Sequence, residues 1–100
     1  MTSRFEDIRY WADQRNIIDG ASMQAQFVKL IEEVGELAEG IAKGRPEAIK
    51  DGIGDAVVVL TILAAQAGTD IDTCIELAWN EIKDRRGRMV MGTFVKEADL

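Results

Sequence analysis

One hundred residues, 47% hydrophobic and 30% charged, suffice for one domain with a modest core, and a single proline without low-complexity tracts argues against disorder. A net charge of −6 argues against duplex nucleic acid as a partner, because a phosphate backbone needs a basic face; a small phosphorylated ligand stays open. With no histidine and one cysteine, Cys74, the chain can build neither an intrachain disulfide nor a Cys/His zinc site, which fits a reducing cytoplasm.

The opening MTSRFEDIRYW is not a signal peptide. Phe5, Ile8, Trp11 and Ala12 have helical spacing, so 3–15 reads as a short amphipathic helix, with Ser3 and Glu6 as a capping box. NIIDG, 16–20, reads as a connection. A second helix is expected over 22–43, with Met23, Phe27, Leu30, Val34, Leu37 and Ile41 as one apolar stripe. Glu33 falls at the edge of that stripe and shares a face with Lys29 and Glu36. Gly44 and Pro46 end the helix in a tight reversal.

The third helix, 46–67, is apolar nearly all the way round from Ile53 onward, so it should be buried on most sides. A strand over 56–60 is the alternative, but the Ala-rich continuation favours helix. So short a chain has little material to cover such a helix, and self-association is expected. The longest apolar run, 56–65, is interrupted by Thr61 and too short to span a bilayer. Gly68 is a C-cap, and Thr69 with Asp72 opens a fourth helix over 70–86, with Ile71, Cys74, Ile75, Ala78 and Ile82 facing the core. Asn80, Lys83 and Asp84 share another face. The tail has strand character over 89–95 and could pair with another chain's tail. The expected architecture is all-α: one domain, 1–100, an antiparallel bundle of about four helices with a short C-terminal tail.

The chemistry-bearing feature is acidic. Glu32, Glu33 and Glu36 sit on the second helix; Asp51 and Asp55 sit on the third, Asp55 enclosed by Ile53, Ala56, Val57, Val58, Val59 and Leu60. An antiparallel reversal brings the two groups opposite one another, where unpaired carboxylates repel. Burying Asp55 in an apolar run is costly unless something compensates it. A hard divalent cation with oxygen ligands does so, and Mg²⁺ is the usual ion of phosphate chemistry, with Mn²⁺ as a substitute. The dull readings are a solvated Glu face and a carboxylate capped by backbone. Lys29, Lys83 and Arg86, the last two in the basic run KDRRGR, suit phosphate oxygens. Trp11 is either core or a platform for a base, and Asn80 either bonds a base or sugar or ties a neighbouring loop. Cys74 and Trp79 read as core. No phosphate-cradling Gly-rich loop is present, and a catalytic triad or a Glu-x-x-His di-iron site is ruled out without histidine.

EEVGELAEGI, DGIGDAVVVL and NEIKDRRGR together resemble the all-α nucleoside triphosphate pyrophosphohydrolases of the MazG type, in particular the small single-domain members found in bacteriophages. The resemblance covers about 11–95. It implies Mg²⁺ ligation by Glu33, Glu36 and Asp55 with Glu32 close by, cleavage of a nucleoside triphosphate to monophosphate and pyrophosphate, and assembly as a homodimer or homotetramer. Phage-type relatives include enzymes acting on dGTP and GTP. One departure stands out: the family's second motif is ExxD, and Gly52 occupies the position of its Glu, with Asp51 as the apparent substitute. A non-catalytic helical module that only self-associates is the rival reading.

Overall fold

In the computed structural model, which describes residues 3–100, the chain runs α1 (Arg4–Gln14), α2 (Ile17–Gly20), α3 (Met23–Ala42), α4 (Pro46–Gln66), α5 (Ile71–Ile82), β1 (Gly87–Val90) and β2 (Thr93–Lys96), then a 3-10 turn at Glu97–Asp99. Of the opening stretch read above as no signal peptide, residues 1–2 lie outside the described residues. The fold is all-α apart from one hairpin, and its four long helices are those expected. Where a plain connection was expected at 16–20, one helical turn forms, preceded by Asn16 in the left-handed region at φ 56°.

Each long helix starts on a side-chain cap or a proline. Ser3 Oγ accepts from the Glu6 N–H and Ser22 Oγ from the Ala25 N–H. Pro46 opens α4, where its missing N–H costs nothing. α5 is capped by Asp70, whose carboxylate accepts from the Thr73 N–H at 2.8 Å, and not by the Thr69–Asp72 pair. That bond lowers the Asp70 pKa, with a further contribution from Arg9. α3 and α4 both end on left-handed glycines: the Arg45 N–H bonds Gly40 O across Gly44, and the Thr69 N–H bonds Ala64 O across Gly68. α5 stops at Ile82, short of Arg86.

The α3–α4 hairpin is the frame, with α1, α2 and the start of α5 laid against α4. The core is small: Ala12, Val59, Ile62, Ala64 and Ala65, with Thr61 returning its hydroxyl to Val57 O at 2.7 Å. Gln66 Nε2 reaches Ala21 O at 2.9 Å and ties the end of α4 to the α2–α3 junction. Beyond Ile71 the chain leaves the body. Every residue from Asp72 to Leu100 except Val95 is exposed, including Cys74 and Trp79, which the helical pattern had placed in the core. The tail pairs with itself in a two-stranded antiparallel hairpin, Met89 opposite Phe94. Among the described residues, no helix is long and apolar enough to cross a membrane.

Candidate functional site

Two glycines bring α3 and α4 close. A Cβ on Gly52 would lie 2.9 Å from the Leu37 Cβ, and one on Gly40 would lie 3.1 Å from the Ala48 Cβ. With no side chain at these points the helices approach, and groups flanking the seam can meet. Glu33 and Glu36 arrive from α3, one turn apart, and Asp55 arrives from α4. One carboxylate oxygen from each lies within 4.8 Å of the other two.

Glu33 is the buried member, 8% exposed. Its Oε1 stands 3.7 Å from Lys29 Nζ, and its Oε2 is buried without a hydrogen-bond partner. Burial pushes its pKa above the usual 4.5; Glu36 and then Asp55 push it the same way, and Lys29 opposes them. Three carboxylates facing one half-exposed ammonium leave negative charge uncompensated. An orphaned buried carboxylate oxygen within a three-oxygen group has the donor chemistry of a hard divalent cation site. The residues present fit such an ion.

The expectation for Asp55 is corrected in one respect. It was to be the enclosed carboxylate, yet Asp55 is exposed and Glu33 is buried. α4 turns Gly52 and Val59 into the interface, while Asp55 stands at the open flank of the seam. α3 is rotated from the expected stripe: Glu33 and Gly40 are its buried residues, and Phe27, Val34 and Ile41 are left exposed. Asp51 and Glu32 are exposed and lie outside the three-carboxylate group. Asp51, expected to replace the family's Glu, is thus not among the three carboxylates whose oxygens lie together. A side chain at position 52 would meet Leu37, its Cβ lying 2.9 Å from the Leu37 Cβ.

Of the residues proposed for substrate, Lys29 is at the cluster. Trp11 lines an open apolar groove of about 340 Å³ with Asp7, Ile8 and Val58, and Val58 is one helical turn past Asp55. The Arg15 guanidinium covers one ring face, 4.5 Å from its centroid. Ile8 and Val58 carried no signal in the sequence beyond their helical stripes, since only packing of α1 on α4 joins them. Asn80, Lys83 and Arg86 are exposed, at or beyond the end of α5, a helix with no buried residue.

The sequence profile of the MazG nucleotide pyrophosphohydrolase domain matches residues 22–89, which hold the whole cluster and both acidic motifs. The chain belongs to the MazG family. An uncharacterized 18.2 kDa protein of the rep-hol intergenic region of Haemophilus phage HP1 (strain HP1c1) is 48% identical over 71 residues, 71% of this chain and 42% of the phage protein. The chain thus spans less than half the length of that relative. No solved structure matches. Within the MazG match, Glu33, Glu36 and Asp55 are the carboxylates that the fold gathers.

Proposed function

We propose that this MazG-family chain hydrolyses a nucleoside triphosphate to the monophosphate and pyrophosphate, using a divalent cation held by Glu33, Glu36 and Asp55. The observation that carries the reading is the convergence of those three carboxylates, one buried and unsatisfied, inside the family match. Mg²⁺ suits an all-oxygen donor set, with Mn²⁺ as a substitute. When bound, it neutralises phosphate charge and lowers the pKa of water. Water attacks the α-phosphorus, the bond from that phosphorus to the α–β bridging oxygen breaks, and pyrophosphate departs with the bond's electron pair. Glu36 or Glu32 takes the proton from water. Lys29 steadies the phosphates beside the cluster. The free face of Trp11 stacks on the base, in the groove one turn from Asp55. Lys83 and Arg86, in the basic run that follows α5, steady the phosphates of a substrate, and Asn80 bonds its base or sugar. Purine triphosphates such as dGTP and GTP are the first substrates to try, and the reading puts the reaction in the cytoplasm, that of a bacterial host if the chain is phage-encoded.

The working unit is a homo-oligomer, a homodimer or homotetramer. A folded 11.1 kDa monomer exposes about 5,700 Å² by the usual surface–mass relation, whereas this chain exposes 7508 Å². Its radius of gyration is 16.3 Å, where a compact 100-residue domain has about 13 Å. The surplus of about 1,800 Å² per chain is what an obligate interface buries.

A substrate panel tests the reading. Each common NTP and dNTP is incubated with Mg²⁺ or Mn²⁺, and products are separated by ion exchange. Monophosphate and pyrophosphate without diphosphate are expected; no consumption with either ion overturns the enzyme reading in favour of a self-associating module.

A further inference from the structure

The C-terminal third is the least explained part of the molecule. α5 presents Ile75, Trp79 and Ile82 on one exposed face, continuous with Cys74 and Ala78. The hairpin adds exposed Met89, Val90 and Phe94, and a fully exposed Met91 at its tip. Met91 holds φ at 49° beside Gly92 at 83°, in a two-residue turn where Asn-Gly is usual. A lone two-stranded hairpin is marginal in water, and this one has no layer of the same chain beneath it. The segment over 83–96 is also basic: Lys83, Arg85, Arg86, Arg88 and Lys96 stand against Asp84 alone, and none of the five cations has an ion-pair partner among the described residues, whereas α5 before it carries Asp72, Glu76 and Glu81.

The body shows the complementary surface. α3 leaves Phe27, Ile31, Val34 and Ile41 exposed in a stripe along its length. The same helix carries Glu32, Glu33, Glu36 and Glu39 against Lys29, and α4 adds Glu47, Asp51 and Asp55 against Lys50. A basic 83–96 segment facing an acidic body, with unmatched apolar stripes on α5 and α3 of one chain, makes two halves of a self-complementary contact.

We propose that the C-terminal arm, α5 with the β1–β2 hairpin, clasps a second copy of this chain, laying its Cys74–Ile75–Trp79–Ile82 face on that copy's α3 stripe. The second copy reciprocates, so two arms and two stripes are covered by one symmetric exchange. This rests on the self-association proposed above and adds its geometry: the surplus surface is arm plus stripe. Charge complementarity makes the exchange weaken with salt, although its apolar faces hold the pair together.

The single natural cysteine makes the contact testable. The natural chain is co-expressed with a variant carrying Cys74→Ser and Val34→Cys, so that each chain holds one thiol and every link is between chains. A short bis-maleimide is added, and peptides are read by mass spectrometry. A link from residue 74 of one chain to residue 34 of the other is the expected result. In parallel, an Ile75→Asp/Trp79→Asp variant is sedimented. It should retain its helical circular dichroism and run as a monomer where the natural chain runs as an oligomer. An oligomer that lacks the 74–34 link, or that survives the double substitution, overturns the arm exchange while leaving self-association intact. A natural chain that sediments as a monomer at every concentration overturns both and assigns the arm to a different partner. Neither readout depends on nucleotide hydrolysis, so the catalytic reading stands or falls separately.

Discussion

Glu33 carries the electrostatic tension of this protein. Its carboxyl pKa is raised, so without a divalent cation the unfolded chain gives up this proton at lower pH than the folded one. The stability associated with that proton is present below about the ordinary value of 4.5 and is lost as pH rises through the higher folded value. A Glu33→Gln variant, melted without divalent cation, should be less sensitive to that rise and melt above the natural chain at neutral pH. The Lys29 pair it forfeits is half-exposed and worth little. Asp70 shows the opposite sign. Its folded pKa is lowered by the Thr73 N–H, so the cap stabilises above the ordinary 3.8 and fades as pH falls through the folded value. Asp70→Ala should lower the melting temperature at neutral pH, and the gap should close in acid. For catalysis, Glu36→Gln and Asp55→Asn should each reduce monophosphate production by more than about a hundredfold, since even supporting residues of metal sites cost up to that much. Asp51→Asn, at an exposed group outside the cluster, should retain most of it.

At the scale of the elements, the α3–α4 seam decides whether a site exists. Gly52→Ala would force a Cβ to 2.9 Å from the Leu37 Cβ and 3.1 Å from its Cα, neither of which can yield without moving a helix. Overpacking of this kind costs about 1–3 kcal/mol, and here it also spreads Glu33 from Asp55, so denaturant midpoint and divalent-cation affinity should fall together. Gly35 is the control. It sits on the facing helix, α3, with nothing within 4 Å of its added Cβ, and Gly35→Ala should stabilise by about 0.8–1 kcal/mol, as helix propensity alone requires.

At the scale of the whole molecule, the proposed cation and second copy would each bind the folded state only, and mass action sets what each is worth. A cation at a hundred times its dissociation constant adds about 2.7 kcal/mol. Titrating Mg²⁺ into the natural chain should therefore raise its melting temperature, and Asp55→Asn should flatten the response. Dilution should lower the melting temperature, because an assembled chain loses its partner as it unfolds. A chain with a five-residue buried apolar core, three of those residues alanine, has little stability to spare without one or the other.

The four long helices, and the ends of α3 and α4, were legible in the sequence because caps, glycine stops and apolar spacing are local. Ser22, Pro46, Gly44 and Gly68 act on the turn beside them, and no distant residue is needed to decide what they do. The acidic pairing of α3 with α4 was legible too, since a tight reversal leaves two long helices only one way to lie. What lay beyond the sequence was how far each helix turns about its own axis. An apolar stripe can be covered from either flank, and only packing chose the Glu33 side, burying that carboxylate and leaving Phe27, Val34 and Ile41 open. The same choice set Asp55 on the rim and put Asp51 outside the cluster. Hydrophobic spacing marks α5 as having an apolar face but does not say whether the same chain or another covers it. By itself, then, the sequence determined the four long helices and that acidic groups of α3 and α4 face one another. The tertiary structure decided which of them meet, because close approach of α3 and α4 depends on residues far apart in the chain, Gly52 against Leu37 and Gly40 against Ala48.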